Sequence, residues 1–197
     1  RFGNVSQLHV VDQPGGARKQ ITFFDEPVGS MSRQPDGTLI AFTMDVGGSE
    51  HAQILLLNPE NGSSTMLSDG NSRHGSPLWD KTGEHIAFMS NRRNGASNDV
   101  WTMPIDNPNQ AEMVLESPDG TWWGPIDWSN DGKHLLIQNY ISITNSKVYL
   151  VDLETKDKTL ILGNLAEPSV NSGLAFDATN TGVFFTTDTF AEFNQLA

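Results

Sequence analysis

The chain contains no cysteine. Disulfides and thiolate metal sites are therefore excluded, although the redox compartment is not fixed by that. No apolar run approaches the roughly 18 residues expected of a membrane-spanning helix. Basic residues are scarce: 12 Lys and Arg stand against 24 Asp and Glu, for a formal net charge of −12. Nucleic-acid partners require a dense cationic footprint, and no such stripe occurs. A sustained helical period is absent as well. So are an initiator Met and an apolar leader at the opening RFGNVSQ, an abrupt start that reads as a processed or truncated chain. What the sequence has is punctuation, with 18 glycines and 10 prolines in 197 residues.

The punctuation repeats. Gly37 in PDGTLIAF, Gly83 in KTGEHIAF, Gly132 in NDGKHLLI and Gly182 in TNTGVFF are spaced by 46, 49 and 50 residues. Each follows a short polar stretch and precedes an apolar run. Asp-Gly and Asn-Asp-Gly favour tight turns, because glycine tolerates positive φ and Asp bonds to its own backbone. The carboxylates Asp36, Asp80, Asp131 and Asp177 recur beside these turns, which gives them a turn role.

Around each turn the same strands are predicted. A first strand ends before the glycine, as in SPLW (76–79), GPIDW (124–128) and SGLAF (172–176). A second follows it at Leu39–Thr43, Ile86–Met89, Leu135–Gln138 and Val183–Thr186. Third strands are expected at Gln53–Leu57, Asp99–Met103 and Lys147–Val151, and fourth strands at Thr65–Leu67, Glu112–Leu115 and Thr159–Leu162. Gln7–Val11 and Lys19–Thr22 supply a third and fourth strand at the N-terminus, whereas the C-terminus supplies only a first and second.

Four antiparallel strands in 46–50 residues predict an all-β fold, a β-propeller. Full blades fall at approximately 28–68, 75–116 and 123–163, with half blades at 1–23 and 170–190. The two halves either meet in one mixed blade of a closed four-bladed ring or mark a slice of a larger propeller, and the slice is the favoured reading. Trp79, Trp128 and Phe176 occupy one position in successive units, where packing between blades asks for large apolar groups. Arg33 breaks the series and is expected to face solvent or pair with an acid.

The pattern S-P-x-W-x-x-x-G-x-x-I-A-F-x-S-x-R followed by D-V-W-x-M resembles the tandem repeat of TolB-type propellers. It is also similar to the propellers of the prolyl oligopeptidase family, including dipeptidyl- and acylaminoacyl-peptidases. The residues that carry it are Ser76, Pro77, Trp79, Gly83, Ile86, Ala87, Phe88, Ser90 and Arg92, then Asp99, Val100, Trp101 and Met103. The resemblance covers nearly the whole chain, and the opening RFGNVSQLHVVDQPGGARKQIT looks most like the peptidase branch. It implies a propeller that covers the active site of an α/β-hydrolase domain with a Ser-Asp-His triad and filters peptide substrates by size. The expected partner is that domain or another protein. This sequence has no G-x-S-x-G; GNSRHG (70–75) has the wrong spacing for a nucleophile elbow. No triad is expected within these residues. The alternative is a non-enzymatic, protein-binding propeller of the cell envelope. Periplasm, exterior and cytoplasm all remain open.

Variable loops carry binding more often than tight turns. Second-to-third loops (44–52, 91–98, 139–146) and inter-unit connections (23–29, 69–74, 117–122) are expected on one face. Candidate binding residues there are Trp122 and Trp123, one packed and one lining the opening, together with Arg73, His74, Arg92 and Arg93. The arginines would suit an anion or peptide carboxylate. His9, His51, His85 and His134 are too scattered for a metal cluster, so no metal or cofactor is expected. Asn4-Val5-Ser6 and Asn61-Gly62-Ser63 are formal glycosylation sequons.

Overall fold

A computed structural model describes residues 4–190 and 194–196. They form five antiparallel sheets. β1 (His9–Val11) pairs with β2 (Arg18–Gln20) in the first. The second runs in chain order through β3 (Val28–Arg33), β4 (Ile40–Met44), β5 (Gln53–Leu57) and β6 (Ser64–Met66). The third holds β7 (His74–Trp79), β8 (His85–Ser90), β9 (Asp99–Pro104) and β10 (Glu112–Leu115). In the fourth are β11 (Trp122–Trp128), β12 (His134–Ser142), β13 (Asn145–Asp152) and β14 (Lys158–Leu162). The fifth contains β15 (Asn171–Phe176), β16 (Val183–Thr187) and β17 (Gln195–Leu196). A single turn of 3₁₀ helix, Pro108–Gln110, precedes β10.

Three expectations need correction. The C-terminal sheet has a third strand, β17, which pairs through Thr186–Leu196 and Thr187–Gln195. Two residues are too few to show an alternating pattern in sequence. Residues 139–146 are not a loop: β12 and β13 continue to the Ser142–Asn145 pair, so this hairpin is longer than its counterparts. Tyr140 and Ile141 carry the β-forming character that the turn signals masked. The third concerns the repeat. Gly37, Gly83 and Gly132 have φ of 80°, 76° and 70°, but the positive φ of the last unit belongs to Asn180, at 61°. The turn bonds agree, since Gly83 N–H donates to Asp80 O and Gly132 N–H to Ser129 O, and Asn180 N–H donates to Asp177 O. Asparagine is among the side chains that tolerate this conformation. Gly182 lies two residues past Asn180.

The core lies between sheets. Along β8 successive side chains alternate: Ile86 and Phe88 pack toward Ala41 and Ile54 of the second sheet, and Ala87 packs toward Trp128 and Leu135 of the fourth. Both faces of the strand are therefore dry, which is why the central strands read as continuous apolar runs. Val28, Ile40, Phe42, Leu55 and Leu57 of the second sheet pack on Leu8, Ile21 and Phe24 of the N-terminal segment. Each fully buried large apolar side chain stabilises by about 1.5–3 kcal/mol.

First strands of neighbouring sheets touch one another, β3 with β7, β7 with β11 and β11 with β15. All four carry a bulge. Trp79 and Trp128 are buried and reach back across the joint: their indole N–H groups donate to Ser32 O at 3.0 Å and Leu78 O at 3.2 Å. Phe176 has no such donor and is only half-buried. There the joint uses Asp127, which accepts from Phe176 N–H at 2.8 Å and from Lys81 Nζ at 2.5 Å. Arg33 faces solvent, its guanidinium lying over Gly37.

Candidate functional site

Loops from the second, third and fourth sheets meet on one face. Bonds to the inter-sheet connections define it, from His51 of the β4–β5 loop, whose Nδ1 lies 2.7 Å from Asn71 O, and from Asn139 of β12, whose Nδ2 donates to Thr121 Oγ1 at 2.6 Å. The sequence candidates sit here, but most are engaged by the protein itself.

Arg73 is exposed, and its guanidinium donates to Asn98 Oδ1 at 2.9 Å. His74, the first residue of β7, has a fully buried side chain. Its Nε2 lies 3.2 Å from Asp69 Oδ1, and its Nδ1 is buried without a hydrogen-bond partner. Burial lowers the His74 pKa, against the pull of Asp69. Burial raises that of Asp69, but N–H bonds from Ser72 and Asn71, with His74, outweigh it and hold the carboxyl well below the usual range. Arg92 Nε is 3.7 Å from Asp69 Oδ2, and the guanidinium lies 5.0 Å from the centre of the Trp101 ring.

Arg93 turns the other way. It forms two bonds to the fully buried Asp99 carboxylate, at 2.7 and 3.0 Å, and one to Glu116 at 3.0 Å. Asp99 also accepts from Ser117 N–H at 2.9 Å. Arg93 thus ties its loop to the next connection, and the bidentate geometry is what distinguishes arginine from lysine. Of the tryptophan pair, Trp123 is the buried one. Its ring packs 5.0 Å from that of Tyr149, and its N–H donates to Asp119 Oδ1 at 3.2 Å. Lys158 Nζ lies over both rings. Trp122 is half-buried and folds against Gly124, where an added Cβ would strike its ring. Exposed Tyr140, Ile141 and Ile143 extend this face on the β12–β13 hairpin.

The structure therefore gathers His74 and Arg92 around Asp69, turns Arg73 to Asn98 and Arg93 to Asp99, and places Trp122 and Trp123 one sheet further on. Asp69, Asp119 and Asn98 were not singled out from the sequence, and Asp99 was named there only as part of the repeat motif. One signal was available: S-D-G (68–70) and S-P-D-G (117–120) precede the same strand in consecutive units. The opposite, turn-bearing face holds a crevice of about 940 Å³ between the third and fourth sheets, lined by Asp80, Glu84, His85, Glu112 and Lys156 among others. Among the described residues, no three His, Asp or Glu side chains are grouped to hold a metal. No helix there is long and apolar enough to cross a membrane. The imidazole of His74 addresses a carboxylate through Nε2, and the face around it offers surface contacts and hydrogen-bonding groups.

Comparison with known proteins places this architecture. The chain aligns with a structure from a mechanistic study of two prolyl endopeptidases at a TM-score of 0.73 and 16% identity, covering 96% of this chain and 30% of that one. TolB from Acinetobacter baumannii aligns at 0.72 and 16% identity, covering 97% of this chain and 45% of TolB. Prolyl oligopeptidase B from Galerina marginata, bound to a 35mer hydrolysis and macrocyclization substrate, gives 0.68 and 14%, with 96% and 31% covered. The chain thus spans less than half the length of each, and at such identities the likeness is one of fold. No curated protein matches the sequence. Residues 23–196 match the N-terminal beta-propeller domain of prolyl oligopeptidase, and the chain belongs to that family.

Proposed function

We propose that this chain is the substrate-gating portion of a prolyl-oligopeptidase-like serine peptidase, built as a partial propeller and not catalytic by itself. The observation that carries this reading is the match of residues 23–196 to the family's N-terminal propeller. The sequence supports the non-catalytic part, since it has no G-x-S-x-G nucleophile elbow. In this reading the loop face, with Arg73, Arg92, Trp122 and the β12–β13 hairpin, meets the hydrolase domain or the entering peptide. A ring of blades admits an extended peptide and excludes a folded domain, so the selection is steric.

The experiment compares a short peptide with the same cleavage sequence embedded in a folded domain, using the whole protein that carries this chain. Cleavage of the short substrate alone is expected, with the serine-directed covalent probe labelling outside residues 1–197. Alanine at Arg73 and Ile143 should narrow the difference between the two substrates. Probe labelling within residues 1–197 overturns the scaffold role, and equal rates on both substrates overturn gating. A second reading, a TolB-like protein-binding propeller, draws on the comparable alignment with TolB. It predicts no serine-probe labelling anywhere in the whole protein.

A further inference from the structure

Two consecutive connections on the loop face are built alike. In each, an Asp is followed by a glycine of positive φ, Gly70 at 77° and Gly120 at 70°. In each, the Asp takes N–H bonds from its own loop. Asp69 accepts from Asn71 and Ser72, and Asp119 from Thr121. Each carboxylate then accepts from a buried ring at the start of the following sheet's first strand. His74 Nε2 and Trp123 Nε1 both lie 3.2 Å from their acceptors. The strand registers make these rings equivalents, since Gly75 pairs with Met89 one step past His74 as Gly124 pairs with Gln138 one step past Trp123.

The two clasps differ in one chemical respect: an indole keeps its proton at every ordinary pH, and an imidazole takes up a second one. We propose that the Asp69–His74 clasp is an acid-released latch on the loop face, with the Asp119–Trp123 clasp as its pH-independent counterpart.

The geometry sets the direction. Asp69 is an acceptor, so Nε2 carries the proton of neutral His74 and Nδ1 is left bare. That atom is buried with no partner, tolerable for a lone pair and costly for an N–H. Protonation would place a cation in a fully enclosed site beside Phe88. The charged groups around the ring do not reverse this. Asp69 attracts the imidazolium, but Arg92 lies against the same carboxylate and opposes it. Arg73, adjacent in the chain, is drawn to Asn98. Asp99, opposite the His74 partner Ser90, is already matched by Arg93. From the second sheet, His51 bonds to Asn71 O in the same loop and contributes a second titratable group. The folded imidazole therefore holds its proton less well than a solvated one, in keeping with its lowered pKa. Stability from the closed latch is full above the ordinary histidine value of about 6.5 and falls as pH drops below it toward the folded value. Release frees the start of β7, where His74 N–H donates to Ala52 O at 2.8 Å and joins the second sheet to the third.

Residue-resolved hydrogen exchange in the intact protein, corrected for the intrinsic pH dependence of exchange, tests this between pH 7.5 and 5. Opening of residues 69–75 should rise by up to about tenfold per pH unit below pH 6.5, and that of residues 119–124 should stay level. His74→Trp, which installs the neighbouring clasp, should abolish the rise, whereas His51→Asn should preserve it. Should His74→Trp fail to fold, an NMR titration of the wild-type imidazole decides the matter: His74 is expected to titrate below the ordinary value of about 6.5. A His74 already charged at pH 6.5, or equal pH responses in the two segments, overturns the proposal. So does loss of the rise in His51→Asn alone.

Discussion

At the scale of single residues, the same chemical group meets different demands in neighbouring sheets. Trp79 fills a gap between sheets and also delivers a hydrogen bond to Ser32 O, so its two roles separate by substitution. Trp79→Phe should cost about 1 kcal/mol, chiefly from the bond, whereas Trp79→Ala should cost about 3–5 kcal/mol from the cavity. Denaturant unfolding measures both. Losses below about 1 kcal/mol for the alanine variant would contradict its burial. Asp69 is informative on the acid side. Hydrogen bonds hold its folded pKa below the unfolded one, so its contribution is full above about pH 4 and lost as pH falls toward the folded value. Asp69→Asn should therefore flatten the stability profile below pH 4, read from unfolding midpoints across that range. None of these pairings could be read from sequence. Trp79 was recognisable as a core residue, but the partner of its N–H is a backbone carbonyl, which has no letter. His74 and Asp69 are five positions apart, with nothing in their spacing to distinguish a buried pair from two solvated loop residues.

At the scale of elements, the hairpin turns show where periodic reading succeeds and where it slips. Central strands were visible because both their faces are dry, and Gln53–Leu57 and Glu112–Leu115 fall where the pattern puts them. The glycine period gave the turns of the second, third and fourth sheets. It misaligned the fifth by two residues because Asn180 there takes the conformation that glycine takes elsewhere, and a later glycine was mistaken for it. The bulges in the first strands were also hidden, since an extra residue leaves the composition unchanged. Substitution separates these turns. At Gly132 an added Cβ meets nothing within 4 Å, so Gly132→Ala should report backbone strain alone, about 1–2 kcal/mol. At Gly83 the same atom would press on the Gln34 side chain, which donates to Gly83 O, and the cost should be larger. Asn180→Ala should also cost more than Gly132→Ala, because the Asn180 side chain accepts from Asn130 N–H at 2.7 Å in the preceding sheet. Comparative unfolding of the three variants gives the order.

At the scale of the whole molecule, sheets are tied to their neighbours by a few buried polar groups set among apolar contacts. Asp127 is the clearest, as its carboxylate reaches Lys81 of the preceding sheet's turn and Phe176 of the following sheet. Asp127→Ala leaves the Phe176 N–H without its acceptor and should cost about 1–3 kcal/mol. The loss should concentrate in the fifth sheet, so exchange of the Phe176 amide should accelerate before that of Phe42. Uniform acceleration would show that the sheets open together. The gathering of the longer connections on one face was foreseen from loop length, but the engagement of their side chains was not: those proposed for contact mostly hold loops in place, and the strands that carry the exposed Ile143 tip were taken for a loop.

The cross-sheet bonds have one further consequence, for the order in which the chain acquires its form. In four of them the partners are separated by 46 to 50 residues: Lys81–Asp127, Trp79–Ser32, Gln34–Gly83 and Trp128–Leu78. None of these four needs the far end of the polypeptide. On a ribosome adding about 5–20 residues per second, each sheet would wait only about 2–10 seconds for the neighbour that completes its joint. Birth of the molecule is thus suited to proceed from the N-terminal end, each finished layer serving as the template on which the next one settles.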